Sequence, residues 1–453
     1  MFTPQVLTGC PTSFNCPREE FWDPMAAARC GSTSGAFRCW LESVTLSKRH
    51  SPPRDPVGVT RTLFKQTFGH AATHFVRAPA RLELLGSHAE WNGGLALSVA
   101  IDRHLCLASA PRTDGKIELV SAAYPERETI WLSEFSPGVA APWTTMVKAV
   151  LHQLRARGVH FGGFNAVVHS EIPPGAGYGS SGALLAATAL TVRQLYPHKL
   201  TETGAVVRRL GGERMPALTK LDRLRTAAVC RSAALGAAGE TGGSLDVIST
   251  LCGKEFHAVL ADAQLGSVEV LPLIGEIAVV VCDTGRLSPI VEAENAALRY
   301  HCQQAAQKLN VKQLRAVDSQ QLKHARDRLT VRQNAVAYHV VGENQRSVAA
   351  ERALRAGDLE QFGQYLFHSH DSARENFGNT GPVLDQLVEL ARAHRGCLGA
   401  RASGLGFGGF TVNLVLWNEV PAFCADLEAA FLRNTGRQLK TMRCRVVDGA
   451  RAL

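Results

Sequence analysis

The chain has 453 residues, 45% hydrophobic and 20% charged, with 49 Lys and Arg against 40 Asp and Glu for a net charge of +9. This reads as a soluble globular protein long enough for two cores, without the run of about 18 apolar residues that a membrane helix needs. The bases do not form a polybasic tail interleaved with aromatics, which argues against nucleic acid as the partner. The densest stretch, Arg208 to Arg231, reads as one solvated helix face.

Residues 1–57 mix Cys, Pro, Ser and isolated aromatics without periodicity and close on Ser51-Pro52-Pro53-Arg54-Asp55-Pro56. They read as a poorly ordered, dispensable extension without the basic and apolar regions of a signal peptide. From Thr60 the texture changes. Strands are expected over 73–77 and 95–101, joined by a loop carrying Asn92-Gly93-Gly94, and again over 117–121 and 129–132. Trp143 to Arg157 carries Val147, Val150, Leu151 and Leu154 on one helical stripe. A strand over 165–169 runs into a glycine-rich loop, and the helix over 183–195 is apolar nearly all round, as one buried beneath a sheet would be. A second set begins with a strand at 277–282, continues through helices near 289–308 and 335–356, and ends in a strand at 411–417. The domain boundary is expected near 270–275, giving domains of 58–273 and 274–453. Irregular alternation of elements favours an α+β fold over a doubly wound one. The 12 cysteines are scattered without a CxxC pair, so a zinc site is not indicated. Cys106, Cys252, Cys282 and Cys302 read as small core residues of a reducing compartment, and a cytoplasmic location follows.

Four segments carry chemistry. Pro173-Pro174-Gly175-Ala176-Gly177-Tyr178-Gly179-Ser180-Ser181-Gly182 lies between a strand and a helix, where glycines let backbone N–H groups converge on an anion and the helix N-terminus adds positive potential. It is neither a Walker A loop nor a Rossmann fingerprint. A hydroxyl at such a helix start can ligate Mg²⁺. Upstream, Arg81, His88 and Glu90 gather hydrogen-bonding groups beside the tight Asn-Gly-Gly turn, as a polyol requires. Downstream stand Gly242-Gly243-Ser244-Leu245-Asp246 and Gly404-Leu405-Gly406-Phe407-Gly408-Gly409. Taken singly, each of these also reads as an ordinary turn, cap or glycine loop.

Together they resemble the GHMP kinases, and among them galactokinase. The glycine loop resembles Pro-x-Gly-x-Gly-x-x-Ser-Ser. Residues 78–94 resemble Ala-Pro-Gly-Arg-Val-Asn-Leu-Ile-Gly-Glu-His-Thr-Asp-Tyr-Asn-x-Gly, and 242–255 resemble Cys-Gly-Ile-Met-Asp…Leu-Phe-Gly-Lys-Glu. Gly399 to Gly409 resembles Gly-x-Arg-x-(Thr/Ser)-Gly-x-Gly-Phe-Gly-Gly. The resemblance covers roughly 60–453. It implies an N-terminal domain like ribosomal protein S5 domain 2, a ferredoxin-like C-terminal domain, and transfer of the ATP γ-phosphate to the C1 hydroxyl of galactose, by a monomer. It makes Asp246 and Arg81 the catalytic pair, with Asp246 accepting or orienting the sugar hydroxyl and Arg81 steadying it. Ser87, His88, Glu90, Gly243 and Asn295 become sugar contacts. Pro174 to Ser181, with Gly406 and Gly408, bind ATP, and Ser181 sits next to Mg²⁺.

Several positions depart from the family pattern. Ser87 stands in place of a glutamate, Glu90 in place of an aspartate, Asn295 in place of a tyrosine and Val247 in place of a glutamine. Ala234 and Gly236 occupy places where acidic residues near the metal are usual, which Glu240 could offset. Two alternatives therefore stand beside galactose: a kinase for another sugar such as arabinose or a uronic acid, and a non-catalytic galactose and ATP sensor.

Overall fold

Asp55-Pro56 opens the first helix, α1 (Pro56–Phe68). The Asp55 carboxylate accepts from Gly58 N at 2.8 Å, and proline occupies the first turn, where no N–H is needed. The computed structural model describes residues 55–133, 142–207, 215–238, 244–287, 291–404, 406 and 408–453. The expected extension lies outside them up to residue 54, but its last residues, Pro56 and Val57, are helical.

The strands in chain order are β1 (His74–Leu85), β2 (Leu95–Arg112), β3 (Lys116–Ser121), β4 (Glu128–Trp131), β5 (Gly163–Ser170), β6 (His198–Leu200), β7 (Ala205–Val207), β8 (His257–Asp262), β9 (Ser267–Pro272), β10 (Ile277–Leu287), β11 (Cys397–Ser403), β12 (Gly408–Leu416), β13 (Lys440–Cys444) and β14 (Arg451–Ala452). The remaining helices are α2 (Pro142–Ala156), α3 (Ser180–Leu195), α4 (Lys220–Ala238), α5 (Ser244–Cys252), α6 (Val291–Lys308), α7 (Ser319–His324), α8 (Val331–Ala356), α9 (Leu359–Ser372), α10 (Pro382–Ala393) and α11 (Val420–Thr435).

The larger sheet runs β14-β1-β2-β5-β3-β4. One edge of β2 pairs with β1; the other is shared, Leu95–Ser98 taking β8 and Leu105–Arg112 taking β5. β1 continues to Leu85, into the first part of the segment expected to be a loop, with register shifts at Pro79/Ala80 and between Glu83 and Leu85. Helix α3 packs on this sheet and is buried continuously from Gly182 to Arg193, as its all-round apolar character requires. The smaller sheet, β11-β12-β10-β13, is antiparallel and follows the β-α-β-β-α-β order of a ferredoxin-like unit. Its apolar side packs on α10 and α11 through Leu387, Val388, Phe423 and Phe431.

One expectation needs correcting. The basic stretch ending at Arg231 is not simply a solvated helix face. Within α4, Arg223 donates to the carbonyls of Leu251 and, at 3.1 Å, Ala450, while Arg225 donates to Leu200 O at 3.1 Å. These guanidinium groups satisfy carbonyls at the ends of neighbouring elements. Cys106, Cys252, Cys282 and Cys302 are buried, as expected of core residues.

Candidate active site

The register shifts in β1 set Arg81 beneath the glycine loop that follows β5. Arg81 Nε donates to Asp246 Oδ1 at 2.6 Å, and Arg81 Nη1 donates to Gly177 O at 2.9 Å. Its backbone N–H donates to Tyr178 O at 3.0 Å, so one residue ties strand, loop and acid together. Asp246 lies in the first turn of α5, where the helix dipole favours a carboxylate. The pair is mostly buried, with side-chain exposures of 11% and 22%. Burial alone would lower the Arg81 guanidinium, but Asp246, then Glu83 and Glu90, outweigh it and hold it above its ordinary value. This favours a fixed cation beside an acid that keeps some access to solvent.

The loop is built for backbone work. Gly179 has φ of 76°, and a Cβ there would come within 2.8 Å of Arg81 Cγ, so only glycine permits this approach. Pro174 and Gly175 are exposed, and Ala176 and Gly177 are half-buried. Tyr178 contributes main chain only: its ring stacks on Phe410 at 4.4 Å and its hydroxyl donates to Asp283 Oδ2 at 3.1 Å. Ser180 and Ser181 form the first turn of α3, with Ser181 exposed.

After β1, the 3₁₀ turn Glu90–Asn92 places Glu90 close enough to Arg81 to support its charge. His88 has φ of 63° and stacks on Phe377 at 4.7 Å. Its Nε2 meets the Asn379 amide nitrogen at 2.6 Å, so Nε2 accepts and the ring is neutral. Gly406 packs against Asn379, where a Cβ would fall 2.6 Å from its carbonyl oxygen, so this glycine supports the His88 contact. Gly408 starts β12. Asn295 is 5% exposed on the buried side of α6, one turn before Arg299, which covers the Trp91 ring at 4.3 Å. Ser87 is buried and its hydroxyl joins Glu83 to Arg401. Gly243 and Glu240 lie outside the described residues. Among the described residues no group of three or more His, Cys, Asp or Glu could hold a metal.

The structure thus brings together Arg81, Asp246, the glycine loop and Glu90, with His88 two residues from Glu90 and packed on Trp91, Phe377 and Asn379. Glu83, Phe377 and Asn379 join them without having been picked out from sequence. For Glu83 the signal was an acid where the signature has asparagine.

Behind His88 lies a buried polar layer. Glu343 accepts from Gly86 N at 2.9 Å and pairs with Arg346 at 2.7 Å, and His339 Nδ1 meets Ser372 Oγ at 3.0 Å. Burial, then neighbouring His339 and Arg401, push His88 down to about 3; burial also holds His339 and His104 at about 4. For Glu343 burial works upward, but Arg346, His339 and Arg401 outweigh it and keep the acid below its usual range. These histidines stay neutral when folded and bind protons near 6.5 when unfolded, so the unfolded state gains protons first on acidification. Stability is therefore expected to be full above pH 6.5 and to fall as pH drops towards 4, with Glu343 adding to the loss lower down. Thermal midpoints recorded at neutral pH and near pH 5 check this; a flat profile contradicts it.

Comparison with known proteins identifies the family. Residues 62–111 match the galactokinase galactose-binding signature, 145–254 the GHMP kinases N terminal domain and 350–419 the GHMP kinases C terminal family. Galactokinase of Chloroflexus aurantiacus is 33% identical over 84% of this chain and 94% of its own length. The chain belongs to the galactokinase family of GHMP kinases. Human galactokinase is likewise 33% identical, over 80% of this chain and 88% of its own. The crystal structure of Lactococcus lactis galactokinase complexed with galactose superposes with a TM-score of 0.78 at 23% identity, covering 88% of this chain and all of that one. Streptococcus pneumoniae phosphomevalonate kinase gives 0.55 at 15% identity over 83% of this chain and 99% of its own, which extends the likeness to the wider fold. The fold is therefore the α+β GHMP kinase fold.

Proposed function

We propose that this chain is a galactokinase, moving the γ-phosphate of ATP onto the C1 hydroxyl of galactose. The observation that carries the reading is the Arg81–Asp246 pair at 2.6 Å, joined by Arg81 to Gly177 of the glycine loop. Phosphoryl transfer asks chiefly for positioning and charge stabilisation. Asp246 receives or orients the proton of the attacking hydroxyl. Arg81 keeps the carboxylate in place and offers positive charge to the transferring group. The backbone N–H groups of 175–179 and the start of α3 receive phosphate oxygens, with Pro174 shaping the loop's entry, while His88 and Glu90 bind sugar hydroxyls. Residues 58–273 hold the catalytic pair and the loop; 274–453 close over them through Arg401, Gly404, Gly406 and Asn379. The acceptor position is tested on the product: the reducing end of the sugar should disappear as the phosphate ester forms, and a phosphate on any other carbon sinks the assignment.

The donor set fits a Mg²⁺ ion that arrives with the nucleotide. The exposed Ser181 hydroxyl is a hard oxygen at the phosphate end of α3, and such an ion needs few protein ligands beyond phosphates and water. When bound it neutralises phosphate charge. Ser181→Ala should raise the Mg²⁺ concentration needed for half-maximal turnover by about tenfold, the scale of one lost ligand contact. Nucleotide affinity without metal should stay unchanged. A Mg²⁺ titration that overlays the parent's removes Ser181 from the role.

A further inference from the structure

The signature resembled by residues 78–94 carries asparagine and glutamate at the places held here by Glu83 and Ser87. The acid has in effect moved four residues back along the chain. Its surroundings show what the move preserves. Ser87 Oγ donates to Glu83 Oε1 and accepts from Arg401 Nη2. Arg401 is only 2% exposed, lies 3.8 Å from the Glu83 carboxylate, and donates to Leu84 O at 3.2 Å. Ser403 Oγ closes the same seam by donating to Glu83 O at 2.8 Å. The motif bearing Arg401 and Ser403 is thereby latched onto β1 immediately before the His88 turn. One residue further, Gly404 sits against Gly177 of the glycine loop, where a Cβ would lie 3.4 Å from Gly177 Cα.

A guanidinium this deeply buried needs an acid within reach. Glu83 and Arg81 lie two apart on β1; burial raises the Glu83 carboxyl above its ordinary value, and Arg401 and then Arg81 pull it back towards the charged form. We propose that Glu83 is a positioning residue for the sugar end: from β1 it supplies the carboxylate that the signature carries at position 87, and through Ser87 it holds Arg401 and the His88 turn in register. This rests on the galactokinase reading.

If the acid has relocated, positions 83 and 87 are coupled, and exchanging them back should restore what either change alone destroys. The experiment is a cycle of Glu83→Asn, Ser87→Glu and both together, with KM for galactose, KM for ATP, kcat and the thermal midpoint read for each. Each single variant should raise KM for galactose by about tenfold or more, with KM for ATP unchanged. The double variant should return to within about threefold of the parent. Additive losses in the double variant, or an equal rise in KM for ATP, overturn the proposal. Glu83→Gln keeps shape and removes charge, so it covers the case in which Glu83→Asn fails to fold. It should also raise KM for galactose, and an unchanged KM overturns the proposal. Failure of the galactokinase reading shows separately, as a parent chain inert towards galactose. The cycle is then scored with whichever sugar the parent turns over and, in parallel, in the thermal midpoint.

Discussion

Asp246→Asn should lower kcat by about 10²–10⁴, the range for loss of a positioned general base. The change is nearly isosteric, so α5 keeps its place and the amide oxygen can still accept from Arg81 Nε. What disappears is the charge, and with it the capacity to take a proton from a sugar hydroxyl. Because Asp246 contacts Arg81 and not the exposed rim of the glycine loop, nucleotide affinity should hold. The thermal midpoint should fall only moderately: the pair is mostly buried, but the amide still accepts from Arg81, so the loss stays below the ~3–5 kcal/mol of removing a buried partner outright. A large rate loss with intact ATP binding and fold is the expected signature. A variant with near-parental turnover at saturating substrate would remove Asp246 from the chemistry.

Arg81→Ala should be comparably severe for a different reason. It deletes the donor to Asp246, the donor to Gly177 O and a buried positive charge at once. Electrostatic stabilisation lost at one donor typically costs about 10²–10³ in kcat, and here the glycine loop also loses an anchor. KM for ATP is therefore expected to rise along with the fall in kcat, unlike Asp246→Asn. Stability should fall as well, because Glu83 and Asp246 would face each other without the intervening cation. Full removal of one partner from a buried pair costs about 3–5 kcal/mol, and the 22% exposure of Asp246 places the expected loss below that. Arg81→Lys restores charge but not the two-ended reach of the guanidinium, so only partial recovery is expected. Unchanged KM for ATP in Arg81→Ala would show that the loop does not depend on this contact.

The framework was legible where local chemistry and burial agree. Helix α3 was apparent because a segment apolar on every side has few places to go, and the structure buries it from Gly182 to Arg193. Strand β1 was read too short. Ala78, Pro79 and Ala80 are poor strand formers and the register shift between Pro79 and Ala80 breaks the two-residue alternation, yet pairing with β2 overrides this. Helix α1 was missed although Asp55-Pro56 is a cap followed by an N-terminal proline, because the preceding proline run reads as irregular chain. Two residues of β14 returning to β1 leave no local trace at all.

The site divides similarly. Arg81 and Asp246 are 165 residues apart, and nothing in either neighbourhood points to the other; only the family resemblance paired them. His88 and Asn379 are separated by 291 residues and were not connected in the sequence. The departures at 83 and 87 were visible as an extra acid and a missing glutamate, but nothing local links them, since their connection runs through Arg401, more than 300 residues away. Gly243 was read as a sugar contact and lies outside the described residues.

The most direct test of the central claim is to offer the purified chain Mg-ATP with galactose, glucose, arabinose and galacturonate separately, and to measure ADP release. The Arg81–Asp246 pair, the His88 and Glu90 groups and the galactose-binding signature together predict sugar-dependent ADP release with the highest kcat/KM for galactose. Release that no sugar stimulates, or a higher kcat/KM for any of the other three, contradicts the account.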